Sequence, residues 1–320
     1  MLHEIRFPAM DSSAHLVLEG DVALLAQGKA FVERLERLWS RFLPDSEISM
    51  LNRAAGGPCL VSPETMTLVH CLLEAYRRTH GRFDPFLAGV IDRLGYRGVL
   101  NGSDVDPIAV GSDEFEPFVS SSAEFVKQIR IGSRSLVQLP SGCQLDPGGL
   151  GKGLAADLAV AYLTRHGASA VLVNLGGDVV VRGMPEGRPW SIGISGVDAD
   201  PDDDAPSVMT VLLTDGAVAT SSKTKRRWHH AGETVHHLVD PRLGTSADVP
   251  WSQVSVVARS GWQAEACSKV VFLDGTFADP VDGSSPVSYV VFDESGRVLA
   301  EHRSAAVGEI WLTDRERIPA

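Results

Sequence analysis

No CxxC or CxxH pair occurs in this chain. Cys59, Cys71, Cys143 and Cys267 are widely spaced, which argues against a zinc site built on paired ligands. Free thiols in a reduced cytoplasm are the expected state. No apolar run approaches the ~20 residues that a membrane-spanning helix needs. The first residues, Met1-Leu2-His3-Glu4-Ile5-Arg6-Phe7, show no basic region followed by an apolar one, so no signal peptide is visible and a cytoplasmic location is expected. Positive charge is also scarce. Against 41 Asp and Glu there are 29 Lys and Arg, a net charge of -12 over 320 residues. That balance argues against broad binding to nucleic acid and against an anionic membrane surface as partner. It leaves room for one buried cationic site, because net charge says little about a single cleft. Neither an internal repeat nor a long linker interrupts the chain.

Glycine is what the chain does have, 31 of it, with two dense clusters. One is Asp146-Pro147-Gly148-Gly149-Leu150-Gly151-Lys152-Gly153, the other Asn174-Leu175-Gly176-Gly177-Asp178. Glycine weakens a packed core and costs backbone entropy, so a dense run points to something that approaches the backbone closely. The first cluster opens a helical pattern. Its amides are expected to be free, and the helix dipole favours an anion there. Lys152 adds a cation, and a phosphate or pyrophosphate ligand is the expectation. The competing reading is a glycine-rich helix start needed only for packing. Two standard phosphate motifs do not match. Gly153 follows Lys152 where a P-loop has its magnesium-holding hydroxyl. Asp146-Pro147 also spoils the strand-to-turn approach of a dinucleotide fingerprint.

Apolar residues at 24, 25, 31, 32, 35, 38, 39 and 42 have helical spacing, after a strand over 14–20. Asp45-Ser46-Glu47 begins a short polar segment leading to Asn52. Ser62-Pro63-Glu64 starts a helix with a capping serine and a first-turn proline. Met66, Val69, Leu72, Leu73 and Tyr76 form its buried face, and Gly81 ends it. Residues 100–125 read as a surface excursion and 198–206 as a solvated acidic loop. A helix over 150–166 stops at Gly167. One strand follows over 170–182, apolar enough to be buried on both faces. Residues 208–221 read as strand, Asp215-Gly216 turn, strand. Strands at 253–258 and 288–293 flank a helix from Gly261 to about Leu273. The mixture predicts an α+β or mixed α/β fold.

Several segments gain meaning from their order. Ser40-Arg41-Phe42, Pro44-Asp45-Ser46-Glu47-Ile48-Ser49 and Leu51-Asn52 come early. Ala219-Thr220-Ser221, then His237-Leu238-Val239-Asp240-Pro241-Arg242-Leu243-Gly244, then Ala264-Glu265-Ala266-Cys267-Ser268-Lys269 come later. From about Met10 to Gly275 this ordered set resembles the ApbE-type FAD:protein FMN transferases. The resemblance implies a single domain over 1–320, with a small excursion about 20–125. It implies a T-fold-related mixed sheet with surrounding helices and FAD in a central cleft. Such proteins break the pyrophosphate of FAD and move FMN onto a threonine hydroxyl of a target protein. The product is a phosphoester, AMP is released, and a divalent metal, usually magnesium, bridges the pyrophosphate. A non-catalytic FAD-binding protein and a FAD pyrophosphate hydrolase giving FMN and AMP stay open as alternatives.

The resemblance also assigns roles. Met10 touches the flavin, although Asp11 stands where the family has glycine. Phe42 is an aromatic near the ligand, and Arg82, Phe83 and Asp84 line the nucleotide. Asp146 and Lys152 contact FAD, and the Gly149 carbonyl takes the metal. Asn174, Gly176, Gly177 and Asp178 shape the cleft rather than react. Ser221 forms a flavin-proximal turn, with Ser222 in place of the usual glycine. His237 hydrogen-bonds the pyrophosphate or takes the proton of the incoming threonine. His236 beside it blurs that assignment. Asp240 contacts the cofactor and fixes a turn with Pro241. At 265–269 many relatives have Asp-x-x-x-Thr, with both side chains on the metal, whereas this chain has Glu265 and Lys269. Glutamate can ligate magnesium, but a protonated lysine cannot. The expected catalytic set is His237, Glu265 and Lys269, with Glu265 and Gly149 as metal ligands. The Lys269 ammonium is expected to take over part of the cation's role, the rival being a degraded metal site.

Overall fold

Seven α-helices form among the described residues, the two longest with apolar residues at a spacing of three to four. They are α1 (Ala23–Trp39), α2 (Glu47–Arg53), α3 (Pro63–Arg78), α4 (Ala88–Arg93), α5 (Ser122–Gln128), α6 (Gly151–Arg165) and α7 (Gly261–Asp274). The structure, a computed structural model, describes residues 1–54, 56–96, 121–133, 135–197, 207–230, 232–276, 286–304 and 310–313. The acidic loop expected at 198–206, and the expected excursion as far as residue 120, lie outside the described residues. By internal packing the chain divides into two units, Met1–Glu36 with Leu150–Ser222 and Val249–Ala320, and Arg37–Gly149 with Lys223–Asp248.

The first unit holds an eight-stranded sheet. Its spatial order is Leu2–Ala9, Ser12–Glu19, Ala170–Leu175, Asp178–Arg182, Asp215–Ser222, Gln253–Ala258, Ser288–Phe292 and Val298–His302. Every neighbouring pair is antiparallel, which gives the α+β form of the expected fold. Val179 and Val181 belong to a core that includes Trp190, Ile192, Met209, Val211 and Leu213. These last come from a three-stranded sheet of Trp190–Ile194, Met209–Leu213 and Ile310–Thr313. Val180 points the other way and meets Gly261 of α7. Alternate residues of one strand are therefore covered on opposite faces, which is why the run reads as continuously apolar.

Two expected strand assignments are corrected. Residues 170–182 form a hairpin rather than one strand. Gly176 and Gly177 sit at φ +62° and +96°, the left-handed backbone that a two-residue hairpin turn requires. Asn174 Oδ1 closes it by accepting the Gly177 N–H at 2.9 Å. Residues 208–221 are not a hairpin. Met209–Leu213 pairs with Trp190–Ile194 and Ile310–Thr313, whereas Asp215–Ser222 pairs with Asp178–Arg182 and Gln253–Ala258 in the large sheet. Gly216 lies within that strand, where a Cβ would come 3.0 Å from the Ala258 carbonyl oxygen. Its glycine serves a close neighbour, not a turn.

Helices α6 and α7 cross where Gly153 faces Gly261. A Cβ added to either would fall 2.3 Å from the other's carbonyl oxygen. The start of α7 is held from α6, because Asp157 accepts the Gly261 N–H at 2.7 Å and the Trp262 N–H at 3.0 Å. Burial nevertheless pushes the Asp157 carboxyl up to about 7, against the pull of those two amides. A raised folded value means that Asp157 contributes stability below its unfolded value and loses it as pH rises through the folded one. Replacing it by asparagine removes that dependence. The variant Asp157→Asn should gain on the wild type by about 1–2 kcal/mol between pH ~4 and ~7, an allowance for the partial exposure of the group, with a flat difference above. Denaturant unfolding across that range reads it, and a constant difference would show that the carboxyl does not titrate there.

In the second unit the supposed polar segment after Asp45 is helix α2. Ser46 Oγ accepts the Ser49 N–H at 3.0 Å, Glu47 sits in the first turn, and Ile48 and Leu51 are buried. A helix of 7 residues shows too few turns for periodicity to reveal it. Helix α3 begins at the expected Ser62 cap, and the Ser62 N–H and Oγ–H both donate to the Glu47 carboxylate. A small core of Leu87, Val90, Leu94 and Val239 packs beside Trp228.

Candidate active site

The first unit concentrates charge at the crossing of α6 and α7. Lys152, in the first turn of α6, pairs with Asp178 at the end of the Gly176-Gly177 turn, and its Nζ lies 3.3 Å from Glu265 Oε1. Lys269 Nζ, one turn along α7 from Glu265, is 3.2 Å from the same oxygen. Glu265 Oε2 accepts the Gly153 N–H at 2.8 Å. Burial alone would raise the Glu265 carboxyl, but Lys152, Lys269 and that amide outweigh it and hold it below its usual value. Asp178 goes the other way, raised chiefly by burial with Lys152 opposing. Burial draws Lys269 downward while Glu265 and Asp178 hold it up. Beneath the cluster, Ser268 Oγ–H donates to the Glu265 carbonyl at 2.8 Å, so the 2.7 Å contact between Ser221 and Ser268 has Ser221 as donor.

The expectation of free amides in the first glycine cluster is corrected at two positions, Gly148 and Gly153. Gly153 N–H serves Glu265, and Gly148 N–H donates to Asp146 Oδ1 at 2.8 Å. What approaches these glycines is protein. Gly153 meets Gly261, and a Cβ on Gly149 would fall 2.6 Å from the Phe83 ring.

Met10 occupies the turn between the first two strands with φ +53°, and Asp11 follows at +54°. Both are positions where an L side chain is strained. Met10 N–H donates to Glu36 Oε1 at 2.9 Å. In the second unit Arg82 Nη1 pairs with Asp240 Oδ1 at 2.9 Å, which joins two of the expected ligand residues to each other. Asp240 Oδ1 also accepts the Arg242 N–H, the turn expected at Asp240-Pro241. Asp84 is engaged on both oxygens, by the Phe86 N–H and by Ser122 Oγ–H, and Phe83 is buried. His237 Nδ1 lies 3.3 Å from the Arg226 carbonyl oxygen. The neighbouring His236 is lowered by burial and bound to the Ala247 carbonyl.

One residue without an assigned role stands out there. Arg41 pairs with Asp92 at 2.9 Å, lies 3.8 Å from Asp146 Oδ2, and stacks its guanidinium 4.7 Å from the Phe42 ring. It lines a cavity of about 550 Å³ with Phe42, Asn52, Arg53 and Asp92. Arg41 Nη2 is buried with no hydrogen-bond partner among the described residues. The segment Ser40-Arg41-Phe42 carried this signal, but nothing in sequence says which way a guanidinium turns.

The model of the ApbE family matches residues 10–278. The chain belongs to the ApbE family. It is 27% identical over 265 residues to the FAD:protein FMN transferase of Treponema pallidum, covering 79% of this chain and 72% of that one. It is 28% identical over 248 residues to the FAD:protein FMN transferase of Rhodobacter capsulatus, covering 77% of this chain and 45% of that one. Among solved structures, the ApbE protein of Thermotoga maritima aligns with TM-score 0.74 at 22% identity, over 93% of this chain and 96% of that one. The flavinyl transferase ApbE of Pseudomonas stutzeri in its apo form gives 0.73 at 20% identity, over 94% of each. The fold is thus that of ApbE proteins.

Within that fold the locus at Glu265 does not fit the magnesium that the resemblance implies. No group of three His, Cys, Asp or Glu side chains among the described residues is placed to hold a metal ion. The oxygens of Glu265 are already taken by two ammonium groups and an amide. A hard divalent cation requires several oxygen donors free of competing cations, and this donor set offers none of that kind.

Proposed function

We propose that this chain transfers FMN from FAD to a threonine hydroxyl of a target protein and releases AMP. The observation that carries the reading is the cluster Lys152–Asp178–Glu265–Lys269, in which two ammonium groups are held by buried carboxylates. Family membership and the activity named for the relatives support it. In the proposed reaction the threonine oxygen attacks the FMN-side phosphorus in line. The new P–O bond forms as the bond from that phosphorus to the bridging oxygen breaks. The electron pair stays on the AMP phosphate, and the hydroxyl proton passes to a general base. Phosphoryl transfer asks the protein mainly for position and charge neutralisation. Lys152 and Lys269 supply the charge that meets the leaving phosphate. No step is routed through a metal.

For the second unit taken by itself, the proposal is that its cavity accepts a planar ring against Phe42, beside the Arg41 guanidinium stacked on that ring. The cavity's volume is ordinary for such ligands. A cytoplasmic location belongs to the same reading, supported by four cysteines that form no disulfide with one another. No described helix is long and apolar enough to cross a membrane.

FAD labelled on its FMN-side phosphorus, incubated with the chain and a cell lysate as acceptor source, tests the reading. Label should enter protein, survive denaturation, map to threonine and match AMP mole for mole. Free FMN formed without acceptor would instead indicate a hydrolase. Bound FAD with neither product would indicate a binder.

A further inference from the structure

We propose that this chain binds the diphosphate of FAD without a divalent cation, using the ammonium of Lys269 held on Glu265. The inference rests on the FAD reading above and deepens it. Two carboxylates and two ammonium groups cancel before any ion arrives. Their depth differs, however. The Glu265 and Asp178 side chains are 0% and 3% exposed, whereas those of Lys152 and Lys269 are 21% and 20% exposed. An approaching ligand meets the ammonium groups first, so the cluster presents a positive face to an anion and repels a cation. A metal on Glu265 would have to displace Lys269 and the Gly153 amide from its oxygens, and the buried Gly153 N–H would be left without its acceptor, although Lys152 keeps Asp178. The spacing of four residues on α7 fixes Lys269 Nζ 3.2 Å from Glu265 Oε1 without loop movement. That contact uses one of the three ammonium protons and leaves two for phosphoryl oxygens. A tethered cation of this kind carries its charge into the site at all times, whatever the magnesium level around it.

The test is FAD binding to the purified chain, followed by flavin fluorescence in EDTA and again in excess magnesium. The expected dissociation constants agree within about twofold. Manganese offered as the metal probe should show, by electron paramagnetic resonance, no more bound ion with protein and FAD than with FAD alone. The variant Lys269→Thr should bind FAD about tenfold or more weakly in EDTA and recover in magnesium, while Lys269→Arg should keep binding in EDTA. Melting temperatures report whether each variant folds; if Lys269→Thr does not, the wild-type and Lys269→Arg arms decide. The inference is overturned if wild-type binding tightens about tenfold or more on adding magnesium. One manganese bound per FAD–protein complex overturns it too, as does a folded Lys269→Thr that matches wild type in EDTA. A chain that binds FAD in neither buffer overturns the transferase reading itself, and this inference with it.

Discussion

Gly153→Ala should lower the unfolding free energy by about 3 kcal/mol, at the upper end for an overpacked site. The added carbon would lie 2.3 Å from the Gly261 carbonyl oxygen and 2.9 Å from the Trp262 amide nitrogen. These are backbone atoms, so no side chain can swing aside. Retreat of α7 is blocked in turn. Gly261 rests on Val180 of the central sheet, and the Gly261 and Trp262 amides are tied to Asp157 of the same helix that carries Gly153. The two helices must part, and parting them separates the Gly153 amide from Glu265. Stability and FAD binding should therefore fall together. Gly177→Ala is the control. Gly177 has φ +96° but nothing within 4 Å of its would-be Cβ, so only backbone strain of about 1–2 kcal/mol is at stake. Urea unfolding of both variants decides. Equal losses would mean that the helix crossing is not the tight point it is taken to be.

The purpose of that glycine was the least legible part of the sequence. A dense glycine run says that something comes close, and chemistry suggested a phosphate. The visitor at Gly153 is another glycine whose neighbour four residues on, Glu265, is 112 residues away in sequence from the amide it accepts. Pairings of that range depend on sheet register and helix crossing, which no local pattern encodes. The pair Glu265 and Lys269 was readable, because i,i+4 spacing on a helix brings side chains together wherever the helix goes. Asp178 was not, since the resemblance makes it a shaper of the cleft and its partner Lys152 lies 26 residues upstream. Helices with several turns, α1, α3, α6 and α7, lie where periodicity and caps put them. The Gly176-Gly177 hairpin was masked by apolar residues on both sides, because both faces of the following strand are buried. Arg41 shows the same limit at the level of one side chain. It sits inside a segment that identified the family, yet only the fold reveals that it meets Phe42, Asp92 and Asp146.

Glu265→Gln should cost about 3–5 kcal/mol, the range for breaking a buried ion pair from one side. The amide is nearly isosteric, so packing is preserved and the loss is electrostatic. One amide oxygen cannot serve both Gly153 N–H and the ammonium groups, and the amide nitrogen turns donor protons toward Lys152 or Lys269. Two ammonium groups then share the single carboxylate of Asp178. Removing one of those charges should repair much of the damage. The double variant Glu265→Gln with Lys269→Met leaves one lysine and one aspartate, again neutral, and exchanges a partly buried ammonium for an apolar chain of similar length. Replacing both halves of a buried pair is often close to neutral, so the double variant should recover at least about half of the single-variant loss, a coupling of about 1.5 kcal/mol or more. The same variant should nonetheless bind FAD more weakly than wild type, because the ammonium proposed to meet the diphosphate is gone. Recovery of stability without recovery of binding is the outcome that separates a ligand-facing Lys269 from one that only neutralises Glu265. If additive losses appear in the unfolding cycle, the cluster does not act as one charge-balanced group.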